Sequence, residues 1–209
     1  MYQKNLSQLL SNGLLKLNVN YDHIDKLMDF LFLLAKWNKT YNITAIRDLE
    51  QMIILHLIDS ASVYNYLKGN SIIDVGTGGG MPGIIFAILN PDLKITLLDA
   101  NQKKTRFLRF AQRQLKLDNI TVVCERVEKY QPLNGYDVVI SRAFSEVGLF
   151  LKLAGHLCGD KGSMYAMKGP REESENNAKI FGFQLVRNIN IDVPFLDAKR
   201  RLLIFNRRL

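Results

Sequence analysis

Cysteine is scarce: the 209 residues hold two, Cys124 and Cys158, which share no metal-ligand spacing and cannot build a disulfide framework. No metal is therefore expected. Long apolar stretches are missing as well. Runs such as Phe30 to Ala35 stop far short of the roughly 20 residues a membrane span needs. The first residues include polar Gln3, Lys4, Asn5 and Ser7, without the apolar core of a signal peptide. No membrane partner and a cytoplasmic location are the resulting expectations. Internal repeats and low-complexity linkers are absent too.

Acidic residues are in the minority, 20 against 28 Lys and Arg, leaving a net charge of +8. An excess of that size favours polyanions, nucleic acid among them, as partners. The rest of the composition, 47% hydrophobic and 23% charged, is that of an ordinary globular chain. The length suits one domain with a real core and a small appendage.

Two patterns divide the chain. From Tyr21 to about Leu67 it reads as helical, with Ile24, Leu27, Met28, Leu31 and Leu34 on one face. Asp22 is a candidate cap for that helix, because its carboxylate can accept first-turn amides. A second helix is expected from a cap at Asp48 to Leu67, stopped by Gly69. From Ser71 onward, short β-rich runs alternate with amphipathic stretches. The strands are expected at Ser71–Val75, Lys94–Asp99, Ile120–Glu125, Asp137–Arg142 and Gly162–Met167. Helical stretches fall around Pro82–Leu89, Lys103–Leu117 and Glu146–Leu157. Parallel strands need such crossovers, so the alternation predicts a parallel sheet covered by helices. Gln184–Ile191 and Arg201–Asn206 follow with no room for a helix between them. They predict a terminal antiparallel hairpin and a total of seven strands.

The sharpest local signal is Ile72-Ile73-Asp74-Val75-Gly76-Thr77-Gly78-Gly79-Gly80-Met81-Pro82-Gly83. Five of the eight residues from Gly76 to Gly83 are glycine. An apolar strand runs into them, and Pro82 stands where a helix should begin. Residues without Cβ let a ligand approach the backbone, and the carboxyl end of a strand is where open α/β sheets bind ligands. Two cofactors compete for the loop. Gly78, Gly80 and Gly83 satisfy the dinucleotide pattern G-x-G-x-x-G, a weak match by itself. Asp74, Gly76 and Gly78 satisfy the acid-x-Gly-x-Gly pattern of S-adenosylmethionine sites. An acid there suits a cationic amino-acid moiety and sits poorly beside a pyrophosphate. A Walker A loop is excluded, since no Lys-Ser/Thr follows.

The second strand ends in Asp99, about 20 residues after the loop, placed to accept both ribose hydroxyls. Either adenosine cofactor would use such an acid, and a helix cap is its plainer role. The choice falls on S-adenosylmethionine because dehydrogenase machinery is missing. There is no second domain for a hydride acceptor, and none of His23, His56 and His156 is placed as an acid–base catalyst.

An ordered set of motifs then points to a family. Lys36-Trp37-Asn38 with Tyr41-Asn42-Ile43-Thr44, His56 with Asp59-Ser60, the loop from Asp74 to Gly83, Ser141-Arg142-Ala143-Phe144 and Tyr165-Ala166-Met167-Lys168-Gly169 span nearly the whole chain. With them the sequence resembles the bacterial 16S ribosomal RNA (guanine-N7) methyltransferase G family, also called glucose-inhibited division protein B. The resemblance implies a Rossmann-like class I methyltransferase fold over residues 70–209, with residues 1–69 as a helical extension packed on it. It implies S-adenosylmethionine-dependent methylation of guanine N7 in 16S ribosomal RNA, free or in the small subunit. It also implies cofactor contacts at Gly76, Met81, Val127, Glu128 and Arg142. A class I enzyme acting on another RNA, a protein or a small molecule stays open from the residues alone.

The N7 target agrees with the local chemistry. Guanine N7 carries a lone pair and no proton, so no residue is assigned as a general base. An Asn/Asp-Pro-Pro-aromatic motif for amino methylation is absent after the fourth strand, where Ser141-Arg142-Ala143-Phe144 stands instead. Neither cysteine has the context of a C5-methylating nucleophile. Lys103, Arg126, Lys168 and Arg200 are the RNA candidates, each near a strand's carboxyl end or the final hairpin. Arg106, Arg109, Arg113 and Lys116 form a stripe opposite Phe107, Leu108, Ala111 and Leu115, and a solvated face explains it. Trp37 and Tyr41 have the rings to stack bases, though core packing is their commoner use. Capping or internal hydrogen bonds suffice for His56 and Asp59. A monomer is expected.

Overall fold

A computed structural model describes residues 2–144, 146–169 and 181–208. Seven strands form one sheet in the order β3-β2-β1-β4-β5-β7-β6. They are β1 (Ser71–Val75), β2 (Lys94–Leu98), β3 (Ile120–Val123), β4 (Tyr136–Ser141), β5 (Cys158–Lys168), β6 (Phe183–Ile191) and β7 (Arg200–Arg207). The first five run parallel, and β7 lies antiparallel between β5 and β6. The sequence places each strand within a few residues, except that β5 starts at Cys158 rather than Gly162.

Before the sheet come α1 (Tyr2–Lys16) and α2 (Ile24–Tyr41). A composite helix follows: α3 (Leu49–Met52), a π-wound turn Ile53–Ile58, and α4 (Asp59–Ala61). Among the strands lie α5 (Gly83–Leu89), α6 (Gln102–Gln114) and α7 (Val147–Ala154). Strand order reverses beside β1, which has β2 on one side and β4 on the other. Their carboxyl ends diverge into crossovers on opposite faces and leave a crevice there.

The pleat explains how both faces are filled. Ile72, Ile95, Leu97, Val138, Ile140, Leu202 and Ile204 point into a cluster with leucines of α1 and α2 and with α5 and α6. Alternate residues Ile73, Val75, Val139, Leu203 and Phe205 meet Phe150, Leu151 and Ala154 of α7 on the other face. The N-terminal helices thus share the larger core of the sheet.

Three local expectations are corrected. Asp22 caps nothing: α2 begins after His23 without a side-chain cap, and Asp22 pairs with Asn20 in the preceding turn. The helix capped by Asp48, which does accept the Gln51 amide at 2.9 Å, does not run to Leu67. It winds through the π turn, ends near Ala61, and gives way to a short 3-10 turn at Tyr64–Tyr66. Gly69 is therefore not its stop and instead tucks its Cα against Asp137. Helix α1 adds an element that the sequence pattern does not announce, burying Leu6, Leu10 and Leu14. Its Gly13 lets it approach the π turn, since a Cβ there would collide with Ile58.

Candidate cofactor and RNA site

After Val75 the chain turns at Gly76, whose amide and that of Thr77 both donate to the Leu98 carbonyl, at 2.8 and 3.1 Å. The strand ends of β1 and β2 are thereby tied together at the base of the loop. Gly76 and Gly78 hold φ of 69° and 61°, and Gly80 one of 98°. A Cβ on Gly80 would lie 2.6 Å from Ile84, so the residue is fixed by packing as well as by backbone sign. Above Gly78 the space is open: a Cβ there would meet nothing nearer than Lys104 Nζ at 3.8 Å.

Asp74 braces this loop from beneath. Its Oδ2 accepts the Thr77 hydroxyl at 2.6 Å and the Gly83 amide at 2.8 Å, closing the turn into α5. The residue is fully buried, and Oδ1 has no hydrogen-bond partner. Burial pushes its pKa up to about 6, against the two hydrogen bonds that favour the ionised form. Asp99 sits opposite, half-buried, with Oδ2 accepting the Gly78 amide at 2.9 Å and Oδ1 the Asn101 amide at 2.8 Å. The cap of α6 is Asn101, which accepts from Lys103 and Lys104, so the plainer role weighed for Asp99 belongs to its neighbour. Each Asp99 oxygen keeps a further lone pair for a hydroxyl. An open backbone cradle flanked by that carboxylate and an orphaned buried oxygen fits an adenosine bearing a cationic tail.

The other cofactor candidates stand along the same edge. Met81 is 4% exposed and belongs to the core, and its terminal methyl lies against the loop, 3.0 Å from where a Cβ on Gly79 would stand. Val127, half-buried, and Glu128, exposed, form the turn after β3, the neighbour of β2. Arg142 follows β4, whose last residue Ser141 donates to the Val75 carbonyl at 2.7 Å. A Cβ on Gly76 would come within 2.9 Å of Ala143, so the Arg142–Ala143 segment lies directly against the loop.

Beside it opens a cavity of about 410 Å³, walled by Leu55, His56, Asp59, Arg142, Lys168 and Arg200 among others. Strands β4, β5 and β7 contribute from the same edge of the sheet, and the composite helix closes the far wall. Asp59, only 3% exposed, receives Arg142 Nη1 on Oδ2 and Arg200 Nε on Oδ1, both at 3.0 Å. Arg142 Nη1 also donates to the Leu55 carbonyl at 3.0 Å. Lys168 is buried and donates to the Phe144 carbonyl at 3.1 Å. His56 donates from Nδ1 to the Leu55 carbonyl and accepts the Thr44 hydroxyl at Nε2, at 3.1 and 2.9 Å. Burial, with help from Arg142, lowers its pKa to about 4, so the ring is neutral at physiological pH.

The four RNA candidates therefore divide. Lys168 and Arg200 line the cavity with their charges engaged, whereas Lys103 and Arg126 are exposed. Arg106, Arg109 and Arg113 face solvent, and half-buried Trp37 packs on Phe107 and Phe110 at the border of the core and on the exposed Tyr41. Two participants escape the sequence pattern. Lys104 is hidden beside Lys103, and an internal hydrogen bond suffices for Asp59, although its spacing from His56 puts both on one helical face. Among the described residues no helix is long and apolar enough to cross a membrane.

Sheet order, glycine loop and the acid after β2 together define the S-adenosylmethionine-dependent methyltransferase fold. Mitomycin 7-O-methyltransferase MmcR shares it with a TM-score of 0.61 at 14% identity, over 85% of this chain and 60% of that one. A SAM-dependent methyltransferase from Geobacter sulfurreducens, in complex with S-adenosyl-L-homocysteine, superposes with a TM-score of 0.50 at 12% identity, over 72% and 90%. The family of rRNA small subunit methyltransferase G matches residues 23–204, and the chain belongs to it. A relative of that name from Legionella pneumophila is 51% identical over 202 residues, 96% of this chain and 95% of its own. Another, from Methylobacillus flagellatus, is 44% identical over 205 residues, 97% and 99% of the two chains.

Proposed function

We propose that the protein methylates guanine N7 of 16S ribosomal RNA, taking the methyl group from S-adenosylmethionine. The observation that carries this reading is the position of the cationic cavity: it opens at the same sheet edge as the glycine loop, and Arg142, which lines it, is followed by Ala143, which packs against Gly76. A methyl donor in one and a polyanion's nucleotide in the other would face each other. The relatives' names supply the ribosomal small subunit as the source of that nucleotide.

Bound S-adenosylmethionine supplies an electrophilic methyl on a positive sulfur. The chain's residues do the rest by holding and aligning. Asp99 accepts the ribose hydroxyls, Val127 and Glu128 border the adenine, and Asp74 with Gly76, Gly78 and the Met81 backbone encloses the methionine part. Arg142 holds the cofactor side of the cavity, while Lys103, Arg126, Lys168 and Arg200 serve the RNA. No side chain takes a proton, because N7 has none to give. His56, neutral and with both ring nitrogens occupied, is unsuited to be a base. Alignment in a desolvated cleft then accounts for the rate. One chain carries both halves of the site, so a cytoplasmic monomer suffices.

The test is to incubate the protein with labelled S-adenosylmethionine and small ribosomal subunits, or their free RNA, from a strain lacking the gene. Nucleoside mass mapping should find 7-methylguanosine in the 16S molecule. Label on another atom, or on ribosomal protein, would overturn the assignment.

A further inference from the structure

We propose that Asp59 is a positioning residue that locks the cofactor-side arginine, Arg142, against the RNA-side arginine, Arg200, and so sets where the two substrates meet. This deepens the reading above and rests on it. Asp59 gives one oxygen to each guanidinium, at 3.0 Å in both cases. Arg142 follows β4 and Arg200 opens β7, two strands that β5 separates in the sheet. Their charges repel, so the carboxylate between them is what fixes their spacing.

The pattern of exposure argues for use and against a purely structural pair. The carboxylate is 4% exposed, whereas the Arg142 and Arg200 side chains are 27% and 23% exposed and border the cavity. Arg142 spends only Nη1 on Asp59 and Leu55; its Nε and Nη2 bond to no described residue. Arg200 spends Nε and Nη1, leaving Nη2. Arg142 is thus held through one nitrogen and keeps its Nε–Nη2 edge, the fork suited to carboxylate or phosphate, while Arg200 keeps Nη2 as a single donor. Buried ion pairs add little stability over apolar replacements of the same size, so stability alone is a weak reason for this one. The composite helix that carries Asp59 also carries His56, whose neutral ring lines the same wall without adding charge.

The experiment compares the full-length protein with Asp59→Asn in three measurements. Calorimetry with S-adenosylhomocysteine and filter binding of unmethylated small subunits read each site separately, and single-turnover methyl transfer reads their alignment. Each affinity should stay within about threefold of wild type while the transfer rate falls about 100-fold, the cost of a misplacement near 1 Å. Wild-type transfer by Asp59→Asn would sink the positioning role alone. Absence of transfer from the wild-type protein would sink the ribosomal RNA reading and this inference together. If Asp59→Asn unfolds, Arg142→Lys and Arg200→Lys keep the charges and the carboxylate while replacing each planar guanidinium with a single ammonium. Because both act through Asp59, the double variant should transfer no more slowly than the worse single one. Losses that multiply would show two independent cations and overturn the proposal.

Discussion

The Asp99 carboxylate reaches back over the glycine loop to take the Gly78 amide at 2.9 Å, joining the end of β2 to the loop's apex. On the proposed assignment, removing it takes away the ribose acceptor as well as the tie to the loop. Asp99→Ala is expected to weaken S-adenosylmethionine binding by about 1.5–3 kcal/mol, the worth of hydrogen bonds to a charged group. Titration calorimetry measures this directly, and an unchanged affinity would remove the ribose assignment.

Asp74 should make cofactor affinity depend on pH. Its pKa is raised to about 6 by burial, and Oδ1 is the oxygen left to carry the proton. A cationic cofactor nearby favours the ionised carboxylate, so binding should release a proton and tighten as pH rises from about 5 to about 7. Calorimetry at pH near 6 in two buffers of different ionisation enthalpy reads the released proton. Heats that match in the two buffers would show that Asp74 does not sense the cofactor.

The transfer step itself should be indifferent to pH from about 7 to about 8.5, because no group must change protonation for the methyl to move. A bell-shaped profile whose acidic limb disappears on mutating one side chain would reveal a catalytic base. The target would then have to be an atom that carries a proton.

Stability should respond to His56 with a definite sign. Its folded pKa, about 4, lies below the ordinary 6.5, so the folded protein binds the proton less readily than the unfolded chain. The resulting stability is whole above 6.5 and drains as pH falls toward 4. Asp74, with a raised pKa, works in the opposite direction over a similar range. The thermal midpoint of His56→Gln should therefore fall less between pH 7 and pH 5 than that of wild type. Parallel melting curves across that range would contradict the assignment.

RNA affinity should weaken with salt, and the exposed cations at the site edge should carry part of that dependence. Replacing Lys103 and Arg126 with Ala is expected to reduce the slope of log K against log salt by about 0.7–0.9 for each phosphate no longer neutralised. Replacing Arg106 and Arg113 on the outer face of α6 should leave the slope alone. Equal slopes for the two double variants would mean that the face of α6, or neither group, meets the RNA.

The sheet was legible because strands covered on both faces must be apolar almost throughout, and glycine or a charge marks where each one stops. Val138 to Ile140 is such a run, and Ile72, Ile73 and Val75 make another that only the buried Asp74 interrupts. The cofactor end was legible for a related reason: the loop's residues are neighbours in sequence, so backbone geometry and chemistry are written together. What failed to show was assembled from a distance. Arg142 and Arg200 lie 83 and 141 residues from Asp59, and no local pattern announces either pairing. The π turn was hidden by its own composition, since Ile53, Ile54, Leu55, Leu57 and Ile58 are apolar all round and give no phase. Helix α1 followed from the family resemblance and not from periodicity, because its leucine stripe sits in a polar segment and contains Gly13, a poor helix former.

The π turn at Ile53–Ile58 also gives the helix a spare residue, a property that no side chain reveals. Such a turn holds one residue more than the α-helix would need over the same rise. Deleting a single residue there would restore regular winding and leave Asp59 facing Arg142 and Arg200, because the wider turn already absorbs the extra rotation. In a regular helix the same loss would swing every later side chain by about 100° around the axis. At this position the chain can shorten without severing the link between the two halves of the site.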